Sequence, residues 1–115
     1  MRNNLAIFAV ALLAWKAWTS ADSFQRSENV TVVLQNVAYE KAQMRPRIWA
    51  ERFAGGKWAE KHKLSDAKKI KLKPLATAKI SQDVSGLEPG VYHFLIFNRD
   101  DFNQAPITTN TFEIK

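Results

Sequence analysis

The segment that most constrains the fold is residues 91–97, which read Val-Tyr-His-Phe-Leu-Ile-Phe and are apolar on both alternating faces except at His93. A strand that is apolar on both sides is expected to be buried on both sides. The preceding Glu88-Pro89-Gly90 is typical of a type II turn, because proline presets φ at the first central position and glycine accepts positive φ at the second. We therefore expect residues 91–97 to form the central strand of a β-sheet core.

Shorter segments along the rest of the chain also have strand patterns. Residues 30–34 are rich in β-branched side chains, and residues 69–73 alternate strictly between lysine and aliphatic side chains. The remaining predicted strands are residues 47–53, residues 77–87 and residues 107–114. Only residues 57–69 could be helical, and their apolar side chains make a poor 3.6-residue stripe, so any helix there should be short. The sequence predicts an all-β fold, a small antiparallel β-sandwich of the immunoglobulin or prealbumin type.

Residues 1–21 have the pattern of a secretory signal peptide. Arg2 precedes an unbroken apolar run over residues 5–15, and Thr19-Ser20-Ala21 places small residues at the −3 and −1 positions of a cut before Asp22. The run is shorter than the roughly 20 apolar residues of a typical transmembrane helix. The chain thus divides into a hydrophobic helical leader, residues 1–21, and one β-sandwich domain, residues 22–115.

The same leader could instead remain attached as a membrane anchor. Lys16 could extend its charge towards the headgroups, and Trp15 and Trp18 suit a membrane interface. Both alternatives place the domain outside the inner membrane. We expect a periplasmic or secreted protein, or alternatively an inner-membrane protein with a single N-terminal anchor and an external domain.

Composition excludes several classes of site. The 115 residues include no cysteine, so disulfide frameworks, thiolate chemistry, cysteine-ligated zinc and iron–sulfur clusters are all ruled out. No Gly-x-Ser-x-Gly, His-Glu-x-x-His or phosphate-binding loop occurs. Asp100 and Asp101 are weak metal candidates. With Asn98 and Asn103 they offer enough oxygen for a cation such as Ca²⁺, but two carboxylates, an intervening Arg99 and no glycine make a poor site. His93 is expected to be a half-buried structural residue satisfied by a hydroxyl or carbonyl. The sequence predicts a protein that is not an enzyme and has no cofactor.

Several short motifs resemble a known family. They are Leu34-Gln35-Asn36-Val37, Lys41-Ala42-Gln43-Met44 leading into Arg47-Ile48-Trp49, Leu87-Glu88-Pro89-Gly90-Val91-Tyr92, and Ile96-Phe97-Asn98. In these the chain is similar to an uncharacterised family of secreted bacterial proteins with a transthyretin-like or Cna-B-like sandwich, over most of residues 29–103. The family's Asp-x-Asn-x-Asn-Gly loop is replaced here by residues 98–103, and its aromatic and glycine tail is missing. The resemblance implies a sandwich fold and export, and it implies no particular activity.

Basic charge is concentrated in the middle of the chain. Residues 57–79 contain eight lysines against Glu60 and Asp66, whereas residues 80–115 have an excess of acidic side chains. In residues 69–73 the lysines should project from one side of a strand while Ile70 and Leu72 enter the core. The predicted basic face consists of Lys61, Lys63, Lys68, Lys69, Lys71 and Lys73. Such lysines either protect an edge strand from aggregation or attract an acidic partner.

These features predict a non-catalytic binding or assembly module of the cell envelope. Its partner would be an acidic protein or another anionic envelope component that docks on the basic face. Nucleic acid is not expected, because aromatic residues are not interleaved with the lysines as stacking platforms. The alternative is a membrane-anchored accessory or structural subunit of an inner-membrane complex. Membrane contact would then be made through the uncleaved leader alone.

Overall fold

A computed structural model describes residues 14–101 and 103–115, and this part of the chain is all-β with no helix. The strands are β1 (Trp15–Thr19), β2 (Ser23–Phe24), β3 (Val30–Asn36), β4 (Ala42–Met44), β5 (Pro46–Ala54), β6 (Lys57–Asp66), β7 (Ile70–Leu72), β8 (Thr77–Gln82), β9 (Gly90–Asn98), β10 (Ile107–Thr108) and β11 (Phe112–Ile114). The all-β prediction is confirmed. Most of the apolar leader lies in residues 1–13, outside the described residues.

The strands form two larger sheets and one short ladder. Sheet A has the order β1-β3-β8, and sheet B has the order β2-β11-β9-β5-β6, with β10 also paired to β9. All pairs are antiparallel except the short β2–β11 pair. Strands β4 and β7 pair only with each other. Residues 91–97 lie in β9, which is flanked on both sides within sheet B, as the sequence predicts for a central strand.

Both sheets contribute side chains to one hydrophobic core. Sheet A supplies Val32 and Leu34, and sheet B supplies Ile48, Phe94 and Phe112, each no more than 2% exposed. The rings of Phe94 and Phe112 pack with their centroids 4.8 Å apart. Alternate residues of each strand point to opposite sides of its sheet. The residues between these core positions therefore lie on the outer sides of the two sheets.

The β5–β6 hairpin corrects the interpretation of residues 57–69. Gly55 and Gly56 have φ values of 63° and 80°, as a two-residue type I′ hairpin turn requires, and Ala54 pairs directly with Lys57. Residues 57–66 therefore return along β5 as a ten-residue strand rather than a short helix. The glycine pair and the cross-strand contacts outweigh a weak helical pattern, since strand preference depends on such contacts.

The turn before β9 also differs from the prediction. The hydrogen-bonded turn closes earlier, where the Leu87 amide donates to the Val84 carbonyl at 2.9 Å. Gly90 has a φ of 159° and already begins β9, whereas a type II turn needs roughly +80°. Two side chains hold this connection in place. The Tyr92 hydroxyl donates to the Glu88 carbonyl at 2.6 Å, and Arg52 Nη2 donates to the Pro89 carbonyl at 2.9 Å.

Strand β1 lies inside the range predicted as a leader. It pairs with residues 32–36 of β3, and Trp15 and Ala17 are less than 10% exposed in the shared core. A chain cut before Asp22 would lack this strand and expose the hydrogen-bonding edge of β3. No helix within residues 14–101 and 103–115 has the length and apolar character needed to cross a membrane.

Candidate binding surface

The outer side of sheet B carries a group of aromatic and apolar side chains, and no other sheet within residues 14–101 and 103–115 covers it. We call it the aromatic face, and it comprises Trp49, Phe53, Trp58, Val91, Leu95 and Phe97, with Glu51 and His93 at its centre. Strand register creates it, since Trp49 lies opposite Leu95, Glu51 opposite His93, and Phe53 opposite Val91. At its end Phe53 and Val91 are 43% and 41% exposed, a large exposure for neighbouring apolar side chains.

The centre of the aromatic face is an ordered polar pair under an aromatic ring. His93 Nε2 lies 2.7 Å from Glu51 Oε1, and the two side chains are only 10% and 14% exposed. Trp58 stacks on the His93 ring with centroids 3.6 Å apart and an angle of 19° between the planes. The His93 side chain therefore has a hydrogen-bond partner, as expected, but that partner is a carboxylate rather than a hydroxyl or carbonyl.

Trp58 reaches this position through the two-residue hairpin turn. Counting from the Ala54–Lys57 pair, Trp58 lies directly opposite Phe53. The register then shifts between Arg52 and Phe53, and such a bulge re-aims the β6 side chains that follow Trp58. The Phe53 and Trp58 rings meet edge to face, 5.2 Å between centroids, an arrangement favoured by the ring quadrupoles. The result is a continuous aromatic surface from β5 onto the edge strand.

A cleft of about 200 Å³ lies at the other end of the aromatic face. Its walls are Trp49 and Phe97, and its rim carries Arg47, Arg99, Asp101 and Gln104. Phe97 is the outward-facing residue that pairs with Arg47 across the sheet, so the cleft continues the same surface.

Most of the charged side chains beside the cleft form ion pairs with one another. Arg47 Nε donates to Asp66 Oδ1 at 2.8 Å, and Arg99 Nη1 lies 3.8 Å from Asp66 Oδ2. The hydrogen bond from Arg47 holds the pKa of the Asp66 carboxyl below its usual value, and the same bond raises the pKa of Arg47. Arg99 also donates through Nη2 to the Ala67 carbonyl at 2.7 Å. Asp66 therefore fixes the two guanidinium groups that border the cleft.

The six lysines of the predicted basic face lie on three different segments. Lys61 and Lys63 belong to β6, opposite Glu51 and Trp49, and so border the aromatic face. Lys68 and Lys69 lie in the connection between β6 and β7, while Lys71 is in β7 and Lys73 follows it. All six are exposed. In β7 the alternation is as expected, because Ile70 and Leu72 pack against the core and Lys71 points to solvent.

The two weak metal candidates have partners within the protein. Asp100 Oδ1 lies 3.7 Å from Arg45 Nε, and Asp101 Oδ1 accepts a hydrogen bond from the Asn103 amide at 3.1 Å. The described part of the chain holds no group of three or more histidine, aspartate and glutamate side chains arranged to ligate a metal ion.

Sequence reasoning missed Glu51, Phe53 and Trp58 as members of a surface. The alternation of residues 47–53 predicted the strand, yet only pairing with β9 shows which side of it lies outside the core. Trp58 lies within residues 57–69, where the local pattern is weakly helical. The Gly55-Gly56 pair was the available signal, because a two-residue glycine turn favours a hairpin and would have placed Trp58 across from β5.

Comparison with known proteins shows similarity at the level of fold alone. No family model matches the sequence, and no curated protein matches it. A β-glucosidase from Listeria innocua matches with a TM-score of 0.51 and 13% identity, over 88% of this chain and 16% of that chain. A β-glucosidase involved in saponin metabolism from intestinal bacteria matches with a TM-score of 0.52 and 13% identity, over 89% of this chain and 16% of that one. The protein thus corresponds to a small part of these much longer enzymes.

Proposed function

We propose that this protein is a non-catalytic binding module of the cell envelope, and that it docks an acidic protein partner on the aromatic face. The observation that carries this proposal is the aromatic face bordered by Lys61 and Lys63, in which Phe53 and Val91 are 43% and 41% exposed. Protein interfaces are enriched in aromatic residues at their buried centre and have a polar rim. Lysines at such a rim raise the rate and selectivity of encounter with an acidic surface.

The scaffold we propose is a β-sandwich of the immunoglobulin or prealbumin type. Two sheets that bury their inner sides in one core support it. The hydrogen bond from the Tyr92 hydroxyl to the Glu88 carbonyl adds a second argument, because a tyrosine near the start of a strand bonds back to the chain in the same way in many immunoglobulin-like sandwiches. This scaffold holds the aromatic face rigid before a partner arrives, which lowers the entropic cost of binding.

Charge reversal at the rim tests the docking proposal. In Lys61→Glu/Lys63→Glu, recovery of the partner from envelope extract should fall about tenfold or more, and the melting temperature should stay nearly unchanged, because exposed charges contribute little to folding. The matched control is Lys16→Glu/Lys79→Glu, which makes the same charge change on exposed positions of sheet A. Equal recovery with both variants would contradict the proposal and leave edge protection as the role of these lysines.

A second proposal, the membrane-anchored accessory subunit, is supported by β1. This strand begins at Trp15, the last residue of the apolar run, and a cut before Asp22 would remove it from sheet A. Retention of the leader keeps the sheet intact. The intact mass of the protein purified from its own envelope tests this. The full-length mass supports the anchor, whereas the mass of a chain that begins at Asp22, or anywhere after the apolar run, contradicts it.

A further inference from the structure

Two apolar side chains are strongly exposed at the end of the molecule where β1 begins. Tyr39 is 89% exposed and Leu75 is 69% exposed. Tyr39 lies in the connection from β3 to β4, and Leu75 lies in the connection from β7 to β8. Neither belongs to the aromatic face, and neither packs on the core.

Asn36 holds both connections in fixed positions. Its side chain is fully buried, and Nδ2 donates to the Glu40 and Leu72 carbonyls at 2.9 Å each. The Asn36 Oδ1 accepts from the Ala38 amide at 2.8 Å, and its backbone carbonyl accepts from the Leu75 amide at 2.7 Å. The exposed side chains therefore project from an ordered platform. We call the surface made of Tyr39, Lys41, Lys71, Lys73 and Leu75 the Asn36 end.

Leu75 is placed where folding alone would favour glycine. Its φ is 66°, and the Ala76 amide donates to the Lys73 carbonyl at 3.0 Å across the turn that contains Pro74. This is the pattern of a type II turn, whose second central residue needs positive φ and is usually glycine. A leucine there is strained, and an exposed leucine gains nothing from burial. Strain at an exposed apolar residue is a reason to look for a contact outside the folded chain.

The Asn36 end is also basic. Lys41 and Lys71 line one cleft of about 180 Å³ together with Ala42 and Gln43. Lys73 lies one residue beyond β7, at the base of the Leu75 turn. Residues 38–44 and 70–76, which form this end, contain three lysines and one acidic residue, Glu40. An anionic partner is therefore the one that fits it.

The apolar N-terminal sequence joins the domain at this same end. The Val37 amide donates to the Ala14 carbonyl at 2.9 Å, next to Asn36. The residues that precede Ala14 in the sequence are the apolar run that starts at residue 5. The Asn36 end thus combines two exposed apolar side chains, an excess of lysine and an adjoining apolar segment.

We propose that the Asn36 end is a membrane-contact surface. Tyr39 and Leu75 enter the interfacial region of the bilayer, where a tyrosine ring places its apolar body and polar hydroxyl favourably. Lys41, Lys71 and Lys73 contact anionic lipid headgroups, an attraction that falls off within a Debye length. This surface is distinct from the aromatic face, and its role does not depend on the acidic protein partner.

Site-specific labelling tests the proposal directly, because the chain has no cysteine. The full chain with Tyr39→Cys or Leu75→Cys carries an environment-sensitive fluorophore in phosphatidylcholine vesicles with or without phosphatidylglycerol. The control is Ser85→Cys, an exposed position beyond the opposite end of the β3–β8 ladder. A blue shift and quenching by lipid-borne quenchers are expected at positions 39 and 75 in anionic vesicles, and not at position 85. Labels at 39 and 75 that behave like the label at 85 would overturn the proposal.

Two further variants separate membrane contact from a structural role, with the label kept at Tyr39→Cys. Lys71→Glu/Lys73→Glu should reduce quenching in anionic vesicles. Lys57→Glu/Lys79→Glu, which makes the same charge change at exposed positions of β6 and β8, should leave it unchanged. Leu75→Gly should raise the melting temperature, because the strain at positive φ is relieved, and should weaken quenching at the same time. A leucine that serves the fold would give a lower melting temperature instead. That result, or quenching unaffected by Leu75→Gly, would contradict the proposal.

Discussion

The two sides of sheet B are built from the same strands and differ in what covers them. On the inner side of β9, Tyr92, Phe94 and Ile96 are at most 1% exposed because they face sheet A. On the outer side, the ring of Trp58 from β6 stacks on His93, and Val91 is 41% exposed. A strand that is apolar on both sides can therefore be buried on one side by a second sheet and on the other by its own neighbours. The second kind of cover is incomplete, and it leaves a surface suited to binding.

The largest expected difference is between two phenylalanines on the two sides. Phe94→Ala removes a fully buried ring from the core and should lower the free energy of unfolding by about 3–5 kcal/mol. Phe53→Ala removes a ring that is 43% exposed, and we expect a loss of about 1 kcal/mol or less. Urea unfolding of both variants measures this. Similar losses would mean that the outer side is as essential to folding as the core.

The His93–Glu51 pair gives the outer side of sheet B a buried polar centre, whereas the inner side is apolar. Glu51→Ala leaves His93 without its partner and should cost about 1–3 kcal/mol, the usual penalty for a buried group that loses its hydrogen bond. Glu51→Gln retains an oxygen acceptor of the same size and should cost less. The free energies of unfolding of the two variants show whether the His93–Glu51 hydrogen bond contributes to stability. If Ala and Gln have equal effects, the hydrogen bond does not stabilise this face.

Tyr92→Phe probes the connection that leads into β9 without disturbing either side of the sheet. It removes the hydroxyl that donates to the Glu88 carbonyl and leaves the buried ring in place. We expect a loss of about 1 kcal/mol in the free energy of unfolding. The measurement is again urea unfolding. A neutral result would mean that Arg52, which donates to the Pro89 carbonyl, is sufficient to hold the connection.

The smallest effect concerns Asp66 beside the cleft. Its pKa is lowered by the hydrogen bond from Arg47, so the stability it contributes is fully present above the ordinary aspartate pKa near 4. That stability is lost as the pH falls through the lowered folded-state pKa. NMR titration of the Asp66 carboxyl should show a pKa below that of a free aspartate, and Arg47→Gln should bring it back up. A pKa unaffected by Arg47→Gln would contradict the assigned cause.

Elements with a strong local pattern were predictable from the sequence. Residues 91–97, 30–34 and 47–53 alternate or are β-branched, and each lies within a strand. Strand β1 was assigned to the leader because its apolar residues continue the run before it, and the leader pattern does not distinguish a buried edge strand from a cleavage region. The β-strand at residues 57–66 depends on pairing with β5, which a local helical periodicity does not report.

The candidate surface was less predictable, because it depends on register. Charge alone identifies Lys61 and Lys63, but their position opposite Glu51 and Trp49 follows from the register shift between Arg52 and Phe53 in the β5–β6 pairing. The turn at Glu88-Pro89-Gly90 shows the same limit. Its residues favour a type II turn in isolation, and the tertiary hydrogen bonds of Tyr92 and Arg52 hold it in another conformation.

Whether the aromatic face is the docking surface is tested by the affinity of the captured partner for a variant in which that face is made polar. Phe53→Ser/Val91→Thr changes the two most exposed apolar side chains of that face, and Tyr39→Ser/Leu75→Ser makes a comparable double change at exposed positions outside it. We predict that isothermal titration calorimetry shows about tenfold or greater loss of affinity for the double variant and none for the control. Unchanged affinity for Phe53→Ser/Val91→Thr in a folded protein would contradict the aromatic face as the docking surface.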